Sequence, residues 1–240
     1  MPANPVSAII EGLSPTHPLK IHTRKRGFTL VELLIVIAII VALTAIAVPI
    51  YRSLLTRSHA VKCFNNLRQI GLATMMYAGD NNMTLPVTSH QRRAGGVSWT
   101  ISLQPYASGT IAFKCAQDED EARPYTYLIN DYLTPKPSGA PHLDFSRLAK
   151  IERPAATLLF AEASPNYKNT DHFHFSPYHG GVVPFSEFAS QVAVECHGEK
   201  ANYLFTDGHV ESLTKKEVQA LLESPGSRFL DPSDPETTTE

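Results

Sequence analysis

Lys25-Arg26-Gly27-Phe28-Thr29-Leu30-Val31-Glu32, followed by LLIVIAIIVALTAIAVPIY over residues 33–51, decides how this chain folds. Leu33 to Ile50 is eighteen residues without a charge. A membrane-crossing helix needs about 20 mostly apolar residues. A helix lying on a globular core would carry a polar stripe, and this run has none. The rest of the chain is too small to wrap it as a central helix. Lys25 and Arg26 place the N-terminus in the cytoplasm and the body outside it. An ordinary secretory signal peptide is the rival, because Ala45 and Ala47 imitate a small-residue cleavage site after the apolar run. Glu32 is the anomaly. A carboxylate inside a span costs ~2.5–3.5 kcal/mol, so a partner is expected. If the bond after Gly27 is cut, Phe28 carries a new α-amino cation about one helical turn from Glu32. That pair could form within one chain or between neighbouring subunits.

The composition agrees with an anchored body. The 240 residues carry a formal charge of −2, with Lys20, Arg24, Lys25 and Arg26 concentrated before residue 28. Residues 1–27 are net +3 and residues 28–240 net −5, the layout of a targeting or anchoring segment. No basic excess exists to drive nucleic-acid binding. Hydrophobic residues at 43% exclude wholesale disorder. Three cysteines, Cys63, Cys115 and Cys196, allow at most one bridge. No CxxC or CxxxC spacing occurs, which argues against a cysteine-based zinc site.

Beyond the apolar run, Pro49 is expected to kink the helix without ending it. From Tyr51 to Ala78 helical period persists. Ala60, Cys63, Phe64, Leu67, Ile70, Gly71, Thr74, Tyr77 and Ala78 form an apolar arc; Val61, Leu72 and Met76 interrupt the polar side. Gly79-Asp80-Asn81-Asn82 ends the helix. Strand-like runs are read at Trp99–Leu103, Thr110–Lys114, Tyr125–Ile129, Thr157–Ala161, Gln191–Val194, Ala201–Phe205 and Val210–Leu213. Residues 163–190 read as an aromatic loop. Thr214-Lys215-Lys216-Glu217 is a capping box opening a short helix. The organisation is therefore a leader at 1–27, a transmembrane segment at 28–50, an amphipathic helix at 51–80, a head at 81–224 and a disordered tail at 225–240.

The segment Lys25 to Tyr51 resembles the prepilin-type cleavage and methylation signature of type IV pilins and type II secretion pseudopilins. The resemblance rests on the basic pair, the G-F-T-L-V-E string, the uninterrupted apolar run and Pro49, 21 residues after Phe28. It implies cleavage after Gly27 by a prepilin peptidase, N-methylation of Phe28, and pairing of Glu32 with the terminal amine of an adjacent subunit. The implied fold is α+β and pilin-like: a long N-terminal membrane-spanning helix packed on a small antiparallel β-sheet head. The implied protein is a structural subunit, not an enzyme. It crosses the inner, cytoplasmic membrane once with its head extracytoplasmic, then joins a pilus or secretion pseudopilus. Its partners would be the peptidase, like pilin or pseudopilin subunits, the assembly machinery and the membrane. The alternative is a membrane-anchored binding or metal-dependent module using the pilin segment only as an anchor.

A second resemblance covers His197 to Glu211, which has His, nine residues, then Asp207-Gly208. It looks like the H-x9-D-G element at the C-terminus of one group of prepilin-type proteins. Cys63-Phe64-Asn65-Asn66-Leu67-Arg68-Gln69-Ile70-Gly71 and Phe113-Lys114-Cys115 look like that group too. Asp207-Gly208 predicts a two-residue type I′ hairpin. Thr206 would pair with His209 and Phe205 with Val210, placing Tyr203, Phe205 and Val210 in the core and Leu204 outward. His197 would then lie a strand's length from Asp207, more than ~10 Å away.

No catalytic constellation is found: G-x-S-x-G, H-E-x-x-H and phosphate-binding glycine loops are absent. No metal site is assigned. His172, His174 and His179, with Asp171 or Asp207, lack a standard ligand spacing, and zinc or calcium remains an open option. Asp118-Glu119-Asp120-Glu121 reads as a solvated turn. Cys63 on the apolar arc and Cys115 at the end of a strand-like run are the expected bridge, with Cys196 free; three buried thiols are the alternative.

Overall fold

A computed structural model describes residues 27–90, 97–107, 113–118, 120–134, 144–167, 171–175 and 183–232. The leader up to residue 26, His179, residues 110–112, Glu119 and the tail beyond residue 232 lie outside the described residues. The chain forms two compact units, Met1–Val48 and Pro49–Glu240.

The first unit holds the start of helix α1 (Leu30–Asp80), which continues through Pro49. Every residue from Leu30 to Val48 is exposed. Its window of greatest hydropathy has no buried residue, so this is a helix long and apolar enough to cross a membrane. An apolar surface of this length fits lipid as its surroundings.

In the second unit α1 buries Cys63, Leu67, Ile70, Gly71, Ala73, Thr74 and Ala78. The spacing of three and four residues puts them on one face. Val61, Leu72 and Met76 remain exposed. After Asp80 the backbone turns through Asn82 and Met83, both left-handed.

The sheet has five strands in the order β3-β1-β2-β4-β5. They are β1 (Tyr127–Asn130), β2 (Leu158–Glu162), β3 (His172–Phe173), β4 (Lys200–Phe205) and β5 (Val210–Thr214). The expected antiparallel sheet is in fact mixed, because β3 runs parallel to β1. One face packs on α1: Tyr127, Ile129, Phe160 and Leu204 cluster with Cys63, Leu67 and Ile70. The other face is covered as well. Leu128, Ala161, Tyr203, Phe205 and Leu213 pack with Phe188 of α3 (Phe185–Gln191) and with Val218 and Leu222 of α4 (Lys215–Glu223). With both faces buried, the central strands β1 and β2 are buried along their whole length and read as near-continuous apolar runs rather than alternating ones.

Several expectations are corrected. Trp99–Ser102 is a turn of helix, α2, capped by Ser98, not a strand. Gln191 ends α3, and Val192 makes only an isolated bridge to Ala163. The 163–190 segment contains β3 and most of α3. The tail is anchored at its start: Phe229 and Leu230 are buried in the core. The Phe229 carbonyl accepts from Leu158 N, and the Leu230 carbonyl from Asn130 Nδ2. Helix α4 begins at the expected capping box, with Thr214 and Glu217 bonded reciprocally.

The β4–β5 turn departs from expectation by one residue. Leu204, not Phe205, pairs with Val210. The loop is three residues long, Thr206-Asp207-Gly208, with Gly208 N donating to the Phe205 carbonyl. Only Gly208 is left-handed, at φ 91°. This is a type I turn closed by a left-handed glycine, the common three-residue hairpin. A one-residue change of register reverses faces, so Leu204 and Val210 point together toward α1. Leu204 fills the space over Gly71, where an added Cβ would come 2.9 Å from its Cδ1. Gly208→Ala would force a side chain into the left-handed region at about 1–2 kcal/mol. At about 2–4 °C per kcal/mol for a domain of this size, Tm should fall by about 2–8 °C in a melt followed by circular dichroism. An unchanged Tm would contradict this turn.

Candidate functional site

Three groups of residues carry chemistry. The first is the N-terminal junction. Thr29 N donates to Glu32 Oε2 at 2.9 Å and Thr29 Oγ1 donates to the same oxygen at 2.7 Å. Glu32 N donates back to Thr29 Oγ1 at 3.2 Å. Thr29-Leu30-Val31-Glu32 is therefore a capping box, a local signal that the sequence reading applied only to Thr214. Glu32 closes its own helix in the free chain and sits four residues from Phe28. Gly27, after which the sequence reading expects cleavage, is exposed and has no side-chain-sized obstruction around it.

The second group lies where α1, β2 and the chain before β4 meet. Cys63 Sγ and Cys115 Sγ are 2.7 Å apart and buried. Both, like Cys196, are free thiols. The two cysteines expected to bridge are therefore neighbours, but they stand here as two thiols and not as a disulfide. The sequence reading missed the residues around them. Glu162, the last residue of β2, points to the α1 face beside Tyr127. Its Oε1 lies 2.9 Å from His197 Nε2, and its Oε2 accepts from Cys196 Sγ at 2.8 Å. His197 Nε2 is also 3.8 Å from Cys115 Sγ. Nothing local in LLFAE marks its glutamate as a site; only the pairing of strands does.

The electrostatics follow from this crowding. Burial alone would raise the Glu162 carboxyl, but hydrogen bonds and charge from His197, with help from Cys196, hold it below the usual carboxylate range. Burial would likewise lower His197, yet Cys63 and Glu162 outweigh it and raise the imidazole to about 9. The hydrogen bond shared by the two thiols brings Cys63 down to about 5 and pushes Cys115 up.

His197 and Asp207 do not meet. His197 N donates to the Lys200 carbonyl at the start of β4. Asp207 follows the other end and accepts from His209 N and Nδ1. Five residue steps of β4 separate those ends by about 17 Å. The H-x9-D-G stretch instead lies along α1. Asn202 Nδ2 donates to the Ala60 carbonyl at 3.1 Å, Leu204 covers Gly71, and Gly208 approaches Met75.

The third group is His90, His172 and His174, whose ring nitrogens lie within 4.8 Å of one another. His172 Nε2 is 3.1 Å from His90 Nε2, and its Nδ1 is 2.6 Å from Asp171 Oδ1. His172 and His174 stood out in the sequence; His90, 82 residues away, did not. Asp207 is no part of this group.

A family model described as the prokaryotic N-terminal methylation motif matches residues 22–48. No curated protein and no solved structure matches the chain. The matched residues contain the Gly27–Phe28 junction, the Glu32 capping box and most of the exposed apolar half of α1. A prepilin-type N-terminus therefore precedes an α+β head of pilin-like arrangement.

Proposed function

We propose that this chain is a structural, non-enzymatic prepilin-like subunit, stored in the membrane through residues 28–50, processed, and assembled into a type IV pilus or secretion pseudopilus. The observation that carries it is the methylation motif ending in a helix whose side chains are all exposed from Leu30 to Val48. A surface of that kind serves equally as an anchor in lipid and as a packing surface in a filament. In this reading a prepilin peptidase cuts after Gly27 and methylates Phe28. The head lies outside the cytoplasm, and like subunits and an assembly machinery are its partners.

Mass spectrometry of the membrane form tests it. The expected chain begins at Phe28, is 213 residues long and carries a methylated amine. Gly27→Leu should keep the whole leader. An uncut leader on the native protein, or a terminus near Ala47, would refute the processing. A membrane-anchored metal-dependent module is the second reading, favoured by the two donor clusters of the head. A cleaved protein that never enters filaments would support it.

A further inference from the structure

We propose that Cys63, Cys115, Glu162 and His197 form a buried zinc site that ties α1 to the sheet. One donor atom from each lies within 4.8 Å of the other three. The set of two sulfurs, one imidazole and one carboxylate oxygen is a zinc set: borderline-soft, four in number, suited to tetrahedral coordination. Ligand atoms around such a zinc stand roughly 3.3–3.8 Å apart, from bond lengths of ~2.0–2.3 Å. His197 Nε2 and Cys115 Sγ are already 3.8 Å apart. The 2.7 Å between sulfurs and 2.9 Å between His197 and Glu162 require only about 1 Å of spreading.

The second shell is the stronger argument. A metal-bound histidine donates its other ring N–H to a fixed acceptor. His197 Nδ1 faces Gln117 Oε1 at 3.3 Å, leaving Nε2 toward the cluster. Thiolates need N–H donors. Cys63 Sγ accepts from Ala116 N at 3.3 Å and Cys115 Sγ from Gln117 N at 3.5 Å. The second oxygen of Glu162 accepts from Cys196 Sγ and from Asn202 N. The loop carrying Cys115 is pinned by Cys115 N donating to Thr126 Oγ1 and by Thr126 N donating to the Phe113 carbonyl. A cleft of about 380 Å³, lined by Cys115, Gln117, Asp118, Glu162 and Cys196 among others, gives a path of entry.

A disulfide is the rival occupant. It would use the two sulfurs and leave unexplained why a buried carboxylate and a backed imidazole converge on them. The missing CxxC spacing is no obstacle. The four ligands come from α1, a loop, a strand end and the turn before β4, each held by tertiary packing.

The test uses the full-length protein purified in detergent from zinc-supplied cells without chelator. Metal analysis, mass-mapped alkylation of thiols and cobalt substitution are read together. The expected result is about one zinc per chain at this site. Cys63 and Cys115 should resist alkylation until a chelator is added, and the cobalt form should show a thiolate charge-transfer band. Cys63→Ser should lose that zinc and the band. Gln117→Ala, which leaves all four ligands, should weaken zinc 10–100-fold. His172→Gln should change neither the cobalt band nor the thiol protection. Cys63 and Cys115 recovered as a disulfide, both thiols alkylated freely without chelator, or a zinc content unchanged in both Cys63→Ser and Gln117→Ala would each overturn the proposal.

Discussion

Glu32→Ala should leave the protein in the membrane and cut after Gly27, yet absent from filaments. Two opposing contributions meet at this residue. Removing the carboxylate relieves an insertion cost of ~2.5–3.5 kcal/mol, so anchoring is undiminished. The same change removes the capping box with Thr29, at about 1 kcal/mol, and the anion proposed to meet the Phe28 amine of a neighbour. Breaking a buried ion pair from one side costs about 3–5 kcal/mol. At each subunit contact that is a loss of roughly 10²- to several 10³-fold, since ~1.4 kcal/mol is tenfold. Glu32→Gln separates the roles, because glutamine keeps the capping geometry and removes the charge. If the charge matters, Gln fails as Ala does when sheared surface fractions are assayed for the protein. Filaments at the native level from Glu32→Gln would reduce Glu32 to a helix cap.

Trp99→Ala is expected to be the most damaging single change in the head. The indole is fully buried. It meets Phe160 edge-on at 4.8 Å and Phe113 at 5.3 Å between ring centres. Its Nε1 donates to the Asp171 carbonyl at 2.7 Å. That one contact joins α2 to the residue before β3, which Ser98 Oγ and Ser89 N also hold through the Asp171 carboxylate. Truncating a large buried aromatic costs about 3–5 kcal/mol. The melting temperature should then fall by about 6–20 °C at 2–4 °C per kcal/mol. Trp99→Phe keeps most of the volume, loses the N–H bond and leaves a small packing gap. The Asp171 carbonyl retains its bond from Ile129 N, so about 1–2 kcal/mol is expected. Thermal melts read by circular dichroism decide it. A Trp99→Ala midpoint within about 2 °C of the native one would mean the indole is not holding these elements together.

The residues that bind the head together differ in how far they were legible. Cys63 and Cys115 could be paired because one lay on the helix arc and the other at the end of an apolar run. Glu162 could not be added to them. It sits at the end of a continuous apolar strand, and its neighbours come from segments 34 to 99 positions away in the chain. The Trp99 segment was misread because a β-branched, aromatic run of four residues satisfies both periods. Its helical state is decided by the Ser98 cap and by burial of the indole. Phe229 and Leu230 looked like stray apolar residues in a polar tail until the sheet offered them a second face.

By itself the sequence determined the elements whose signals are local and repeated. These are the charge step at Gly27, the eighteen uncharged residues of the apolar run, the arc of α1 from Cys63 to Ala78, the Thr214 capping box and the existence of β4 and β5. Each follows from solvent preference or from bonds within one turn, so neighbours in sequence suffice. Tertiary structure alone decided the mixed order of the strands, the register that brings Val210 beside Leu204 on the face covered by α1, and the meeting of Glu162 and His197 with the two thiols. Those depend on which surfaces bury each other. A three-residue loop in place of a two-residue one reverses a whole strand's faces, while the local turn signal, Asp207-Gly208, is the same for both.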